Sequence, residues 1–119
     1  MSRELVSCPA DASLQAVAAL MSAEAIHCVV VIDGDTSLWG VVSDLDLVAA
    51  ASVRPLAEQP AGGTAMRPAV TVEPSESLDV AVRLMARSGV AHLVVVDAAA
   101  GRPVGVLSTL DLAAPLSAV

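Results

Sequence analysis

Apolar residues return along the chain in two alternating rhythms. Leu14, Val17, Ala18 and Met21 recur at helical spacing, which predicts a helix with one buried face. From 27 to 32 nearly every position is apolar (His27-Cys28-Val29-Val30-Val31-Ile32), the pattern of a strand covered on both sides. A partner strand over 38–42 and a helix over 44–53 complete the first half, with 5–8 as a short leading strand. The second half restates this plan: a strand at 70–73, a helix over 77–87 with Leu78, Ala81, Val82 and Met85 on one face, strands at 92–96 and 104–107, and a short helix at 109–114 before Pro115. Each half reads β-α-β-β-α.

Turn residues fall between these elements. Pro9-Ala10-Asp11 turns the chain, and Asp11 or Ser13 can cap the first helix. Asp33-Gly34-Asp35 and Pro74-Ser75 are further turns. Ser88-Gly89 ends a helix with glycine where a left-handed cap is common. The stretch 55–63, with Pro55, Pro60, Gly62 and Gly63, reads as a linker. The expected division is a first repeat at 1–54, a linker at 55–65 and a second repeat at 66–119.

The repetition extends to individual residues. Leu14 and Leu78, Met21 and Met85, and Asp33 and Asp97 are each 64 positions apart. Gly40-Val41-Val42-Ser43-Asp44-Leu45-Asp46-Leu47 returns as Gly105-Val106-Leu107-Ser108-Thr109-Leu110-Asp111-Leu112, now 65 positions on. One residue has therefore been added within 98–103, where a loop tolerates it. Each phrase is expected to end a buried strand and begin a helix, placing Ser and Asp beside unpaired backbone N–H groups. Ser-x-x-Asp before an apolar run is also the capping-box pattern. Capping and ligand binding are compatible, because a carboxylate that reaches back to its own backbone can turn toward a ligand.

Composition narrows the function classes. A chain of 119 residues forms one compact domain, or two half-domains, and can bury a core without a disulfide or metal. The apolar fraction is 55%, yet Trp39 is the single aromatic, so the core is aliphatic. Net charge is −7 and all six basic residues are Arg, which argues against non-specific nucleic-acid binding. No apolar run is long enough to span a bilayer. Met1-Ser2-Arg3-Glu4 lacks the basic-then-apolar pattern of a leader, and Cys8 and Cys28 fit reduced thiols; the expected compartment is the cytoplasm.

The doubled phrase, the strands ending in Asp33 and Asp97, and the lead-in Met66-Arg67-Pro68-Ala69-Val70-Thr71-Val72 resemble a tandem pair of CBS domains, named for the regulatory part of cystathionine β-synthase. The resemblance covers nearly the whole chain. It implies an α/β (α+β) fold of two β-α-β-β-α repeats packed as a pseudo-two-fold pair, with clefts between them. It also implies an adenosine-type ligand such as AMP, ADP, ATP or S-adenosylmethionine, and two modules pairing as a disc-like homodimer. Carried over by motif, Ser43 and Asp46 in one cleft and Ser108 and Asp111 in the other contact phosphate and ribose. Adenine lies against Ile26-His27-Cys28 and Val90-Ala91-His92, and Thr71 is near the ligand. The chain departs from the family in three respects. Val30 and Val94 stand where proline is frequent, the first half lacks a Met-x-Pro lead-in, and Asp44-Leu45 and Thr109-Leu110 replace a frequent basic residue. Asp44 would repel phosphate, which favours the second cleft, with Arg67 or Arg102 as a source of positive charge.

No catalytic residues, metal ligands or required cofactor are expected. His27 and His92 sit on apolar strands without a nucleophile partner, and Cys28 beside His27 lacks metal-site spacing. Trp39 reads as edge-strand packing or a surface for stacking a base. The leading reading is a non-enzymatic regulatory module that signals through a dimer to a partner protein. The alternatives are a dimerisation or interaction module with no nucleotide, an S-adenosylmethionine or NAD binder, and a thiol switch at Cys28.

Overall fold

The computed structural model describes residues 5–34 and 37–116. The leader reading at 1–4, Asp35 of the expected turn, and the last three residues of the second repeat lie outside them. The chain divides into two compact units, one over Val6–Ala69 and a second that includes everything from Val70 onward.

In the first unit, β1 (Ser7–Pro9) leads into α1 (Leu14–Glu24), which crosses over to β2 (Cys28–Asp33). Strand β3 (Ser37–Ser43) then runs directly into α2 (Asp44–Ala51). The sheet order is β1-β2-β3, with β1 parallel and β3 antiparallel to β2. Ser13 caps α1 by accepting the Ala16 amide at 3.1 Å, so of the two expected caps the hydroxyl serves. Leu14, Val17 and Met21 face Val29, Val31, Val42 and Leu47 in one core, with Ala18 packed at its edge.

The second unit repeats this order in β4 (Thr71–Val72), α4 (Leu78–Ser88), β5 (His92–Asp97), β6 (Arg102–Ser108) and α5 (Thr109–Leu116). Its core gathers Val72, Ala81, Met85, Leu93, Val95 and Leu112. Val30 and Val94, one residue out of phase with these inward positions, are also fully buried. That agrees with strands apolar on successive residues. Both long hairpins shift register at the same place, between Val31 and Ile32 and between Val95 and Val96, leaving Trp39 and Val104 as the extra residues.

Several boundaries differ from expectation. His27 precedes β2 and is exposed, because strand pairing begins with Cys28 opposite Ser43. Helix α2 stops at Ala51, where Ser52 turns its hydroxyl onto the Ala49 carbonyl at 2.7 Å. Leu78 is 42% exposed despite its place on the apolar face, since it borders a cavity. Helix α5 continues past the expected stop at Pro115 to Leu116, although a proline there cannot donate the backbone bond that the helix would otherwise make.

The stretch 55–69 is structured. It holds a 3-10 turn (Leu56–Glu58) and α3 (Ala61–Thr64). Gln59 is buried between them, and its side-chain amide donates to the Ala50 and Arg54 carbonyls, both at 2.9 Å. Its own carbonyl accepts from the Leu14 amide at 2.8 Å. One residue therefore ties the end of α2 to the start of α1. Met66 then exchanges backbone hydrogen bonds with Val41. That approach requires Gly40, since a Cβ there would collide with the Met66 carbonyl oxygen.

Candidate functional site

Each repeat forms the same corner where its last strand becomes a helix. In the first, the Ser43 hydroxyl accepts the Asp46 amide at 3.2 Å and an Asp46 carboxylate oxygen accepts the Ser43 amide at 2.8 Å. In the second, the Asp111 amide donates to the Ser108 hydroxyl at 3.3 Å. The Ser108 amide and hydroxyl both donate to Asp111 Oδ2, at 2.8 and 3.0 Å. Both corners are thus reciprocal caps. Partial burial pushes the Asp111 carboxyl upward, but the opposing contributions, led by the Ser108 amide and hydroxyl, leave it below its ordinary value.

Strand register assembles the rest of each corner. His92 pairs with Ser108 across β5 and β6, and the Thr109 amide donates to the Ala91 carbonyl at 3.0 Å. The same bond in the first repeat joins the Asp44 amide to the His27 carbonyl at 3.0 Å. Ser108, Asp111, Ala91 and His92 therefore converge in the second unit, as Ser43, Asp46 and His27 do in the first. Thr71 does not join them. It pairs with Val94 on the other side of β5, about 12 Å from Ser108 by strand rise and spacing.

Beside the second corner is a cavity of about 250 Å³, lined in part by Glu73, Glu76, Ser77, Leu78, Leu107 and Asp111. It explains why Leu78 is half uncovered. Its polar rim is acidic. Arg102 begins β6, six residues from Ser108, and so lies about 20 Å away along the strand. Arg67 is held within the first unit, with its guanidinium 3.5 Å from the centroid of Trp39 and its Nε donating to the Trp39 carbonyl at 3.0 Å. Trp39 also donates its indole N–H to the Gly62 carbonyl at 2.9 Å, so it is an edge-strand packing residue.

The two corners differ in their second residue. Asp44 accepts the Leu45 amide on Oδ1 at 2.9 Å and lies 2.9 Å through Oδ2 from His27 Nδ1. At the matching place stand Thr109 and Ala91, and among the described residues the Leu110 amide has no hydrogen-bond partner. His27 is 78% exposed at its side chain, so it is a surface partner of Asp44 rather than a core histidine. Cys8 and Cys28 are buried free thiols. Burial pushes the Cys28 thiol up to about 12, with Asp46 and Asp44 adding to the effect, and burial also raises Cys8. Among the described residues no group of three or more His, Cys, Asp or Glu could hold a metal ion, and no helix is long and apolar enough to cross a membrane.

The family model for the CBS domain matches residues 1–53 and again 63–117. The chain belongs to the CBS domain family. Its two CBS repeats resemble solved structures over almost their whole length. A protein with CBS domains from Burkholderia ambifaria MC40-6 is 25% identical, with a TM-score of 0.86 and coverage of 98% of this chain and 85% of that one. A CBS domain protein from Pyrobaculum aerophilum, solved in complex with AMP, is 28% identical, with a TM-score of 0.86 and coverage of 100% and 95%. A CBS domain pair solved with 5′-methylthioadenosine and S-adenosyl-L-methionine is 18% identical, with a TM-score of 0.85 and coverage of 97% and 93%; that likeness speaks to the fold alone. No curated protein matches the sequence.

Gln59 is the residue that sequence reasoning missed. Its signal was slight: a lone long amide between Glu58 and Pro60, in a stretch otherwise rich in proline, glycine and alanine.

Proposed function

We propose that this CBS pair is a regulatory module that binds an adenosine-type ligand of the AMP, ADP or ATP class, with Ser108 and Asp111 at the centre of the site. The observation that carries the reading is the corner itself. A hydroxyl and a carboxylate meet at the start of α5, next to a Leu110 amide that has no hydrogen-bond partner among the described residues, and the carboxylate borders a cavity of about 250 Å³. Asp111 accepts the ribose hydroxyls, and the Leu110 amide with the Thr109 hydroxyl receives the anionic end at the start of α5. Ala91 and His92 border the base. The AMP complex of a relative 28% identical over the full chain supports the ligand class. The module acts without catalysis, as a homodimer and on a partner protein. Leu45, Val48 and Val53 on and after α2, and Leu110 on α5, are exposed apolar residues suited to pairing.

A second reading rests on charge. With Glu73, Glu76 and Asp111 around the cavity and Arg102 at the far end of β6, S-adenosylmethionine and its cationic sulfonium fit better than a triphosphate. Thermal unfolding against AMP, ADP, ATP, NAD and S-adenosylmethionine separates these cases. A ligand at about 100 times its dissociation constant adds roughly 2.7 kcal/mol, and Asp111→Asn is expected to abolish that shift. If no compound shifts the wild-type protein, the reading gives way to an interaction module without a nucleotide ligand.

A further inference from the structure

We infer that Asp44, held by His27, is a specificity device that bars phosphate-bearing ligands from the first corner. The inference rests on the adenosine-ligand reading above. Two copies of one corner in one chain provide an internal comparison. At the start of α2 all four leading amides are already bonded within the protein: Ser43 to Asp46, Asp44 to the His27 carbonyl, Leu45 to Asp44 Oδ1, and Asp46 to the Ser43 hydroxyl. At the start of α5 the equivalent of the third is the Leu110 amide, which has no hydrogen-bond partner among the described residues. The difference traces to one substitution between repeats, Asp44 against Thr109.

Asp44 therefore does in the first corner what a ligand's anionic group would do in the second. It places a carboxylate at the helix start and occupies the donor there. His27, where the second repeat has Ala91, holds the other carboxylate oxygen at 2.9 Å. Its side chain and that of Asp44 are 78% and 58% exposed, so the pair stands where an incoming ligand would meet it. Asp46, two residues on, adds a second negative charge. An arriving phosphate would have to displace Asp44 from Leu45 and then remain beside it, against like-charge repulsion. An uncharged nucleoside meets only the first of these obstacles.

The test isolates the first corner by using Asp111→Ala to disable the second. Binding of AMP and of adenosine is measured by calorimetry on the full chain. AMP binding is expected to be lost in Asp111→Ala and regained when His27→Ala and Asp44→Thr are added, with affinity at least about tenfold tighter than in Asp111→Ala alone. Asp44→Asn keeps an acceptor for the Leu45 amide but removes the charge, so it separates repulsion from occupancy; it is expected to recover part of the AMP binding. Adenosine affinity at the first corner is expected to change less than AMP affinity. If AMP binds wild type and is lost in Asp111→Ala but is not regained, the device is refuted while the ligand reading stands. If wild type binds no AMP, the ligand reading fails at the second corner, and AMP binding by His27→Ala/Asp44→Thr then decides the device alone: binding upholds it and absence refutes it.

Discussion

Cys28 makes the alkaline stability of this protein calculable from very few groups. The chain has neither lysine nor tyrosine, and arginine stays charged well above pH 12. From about pH 9 to 12 the titrating side chains are therefore the two thiols. In the folded chain burial, reinforced by Asp46 and Asp44, raises Cys28 from 9.0 to about 12. The sign follows from which state releases the proton. Above about pH 9 the unfolded thiol ionises while the folded one stays neutral. The stabilisation is thus complete below pH 9 and is lost as pH rises toward 12. One proton corresponds to about 1.4 kcal/mol per pH unit, so raising pH from 8 to 10.5 costs about 2 kcal/mol through Cys28. Urea unfolding followed by circular dichroism at both pH values, in wild type and in Cys28→Ala, reads this directly. The variant loses some packing at every pH, so the informative quantity is the pH-dependent loss. Wild type is expected to lose about 2 kcal/mol more than the variant. Equal losses would refute the account of Cys28 as a thiol sealed in an acidic, dry environment. The same burial predicts that Cys28 stays unlabelled by maleimide in the native protein at pH 8; labelling of neither thiol would remove the thiol-switch reading, and labelling of Cys28 would uphold it.

Four further substitutions test the caps and the packing. Ala25, the C-cap of α1, is exposed in the left-handed region at φ 53, where α4 has Gly89 at φ 66. Ala25→Gly is expected to stabilise by about 0.5–1 kcal/mol, or roughly 2–4 °C in Tm, and Gly89→Ala to destabilise by a similar amount in a thermal melt. Gln59→Leu is expected to cost about 1–3 kcal/mol by denaturant unfolding, because the Ala50 and Arg54 carbonyls lose their donor. Gly40→Ala forces the Met66 backbone away from β3 and is expected to cost about 1–3 kcal/mol, with faster hydrogen exchange at the Met66 and Val41 amides.

The elements legible in the sequence were those written twice. Leu14 with Leu78, Met21 with Met85 and the two Ser-x-x-Asp phrases fixed the repeat, the element order and the capped corners, because each signal depends on local spacing. What the sequence concealed depends on partners distant along the chain. Arg67 looked available to an anion, but Trp39, 28 residues earlier, holds it. His27 looked like part of an apolar strand, but register begins one residue later and leaves it to Asp44. Leu78 kept the helical period yet borders a cavity, since periodicity reports which face turns inward and not whether anything fills the space before it.

Gln59 and Met66 also bear on how such a chain can be divided or recombined. The first repeat is closed by the segment that follows it: an amide that seals α2 and anchors α1, and a backbone pairing with β3. A break after residue 54 would strip both and strand α2 with unbonded carbonyls. A graft, a split-protein fragment or a gene fusion meant to keep these contacts is therefore best cut after Ala69, where the compact unit Val6–Ala69 ends.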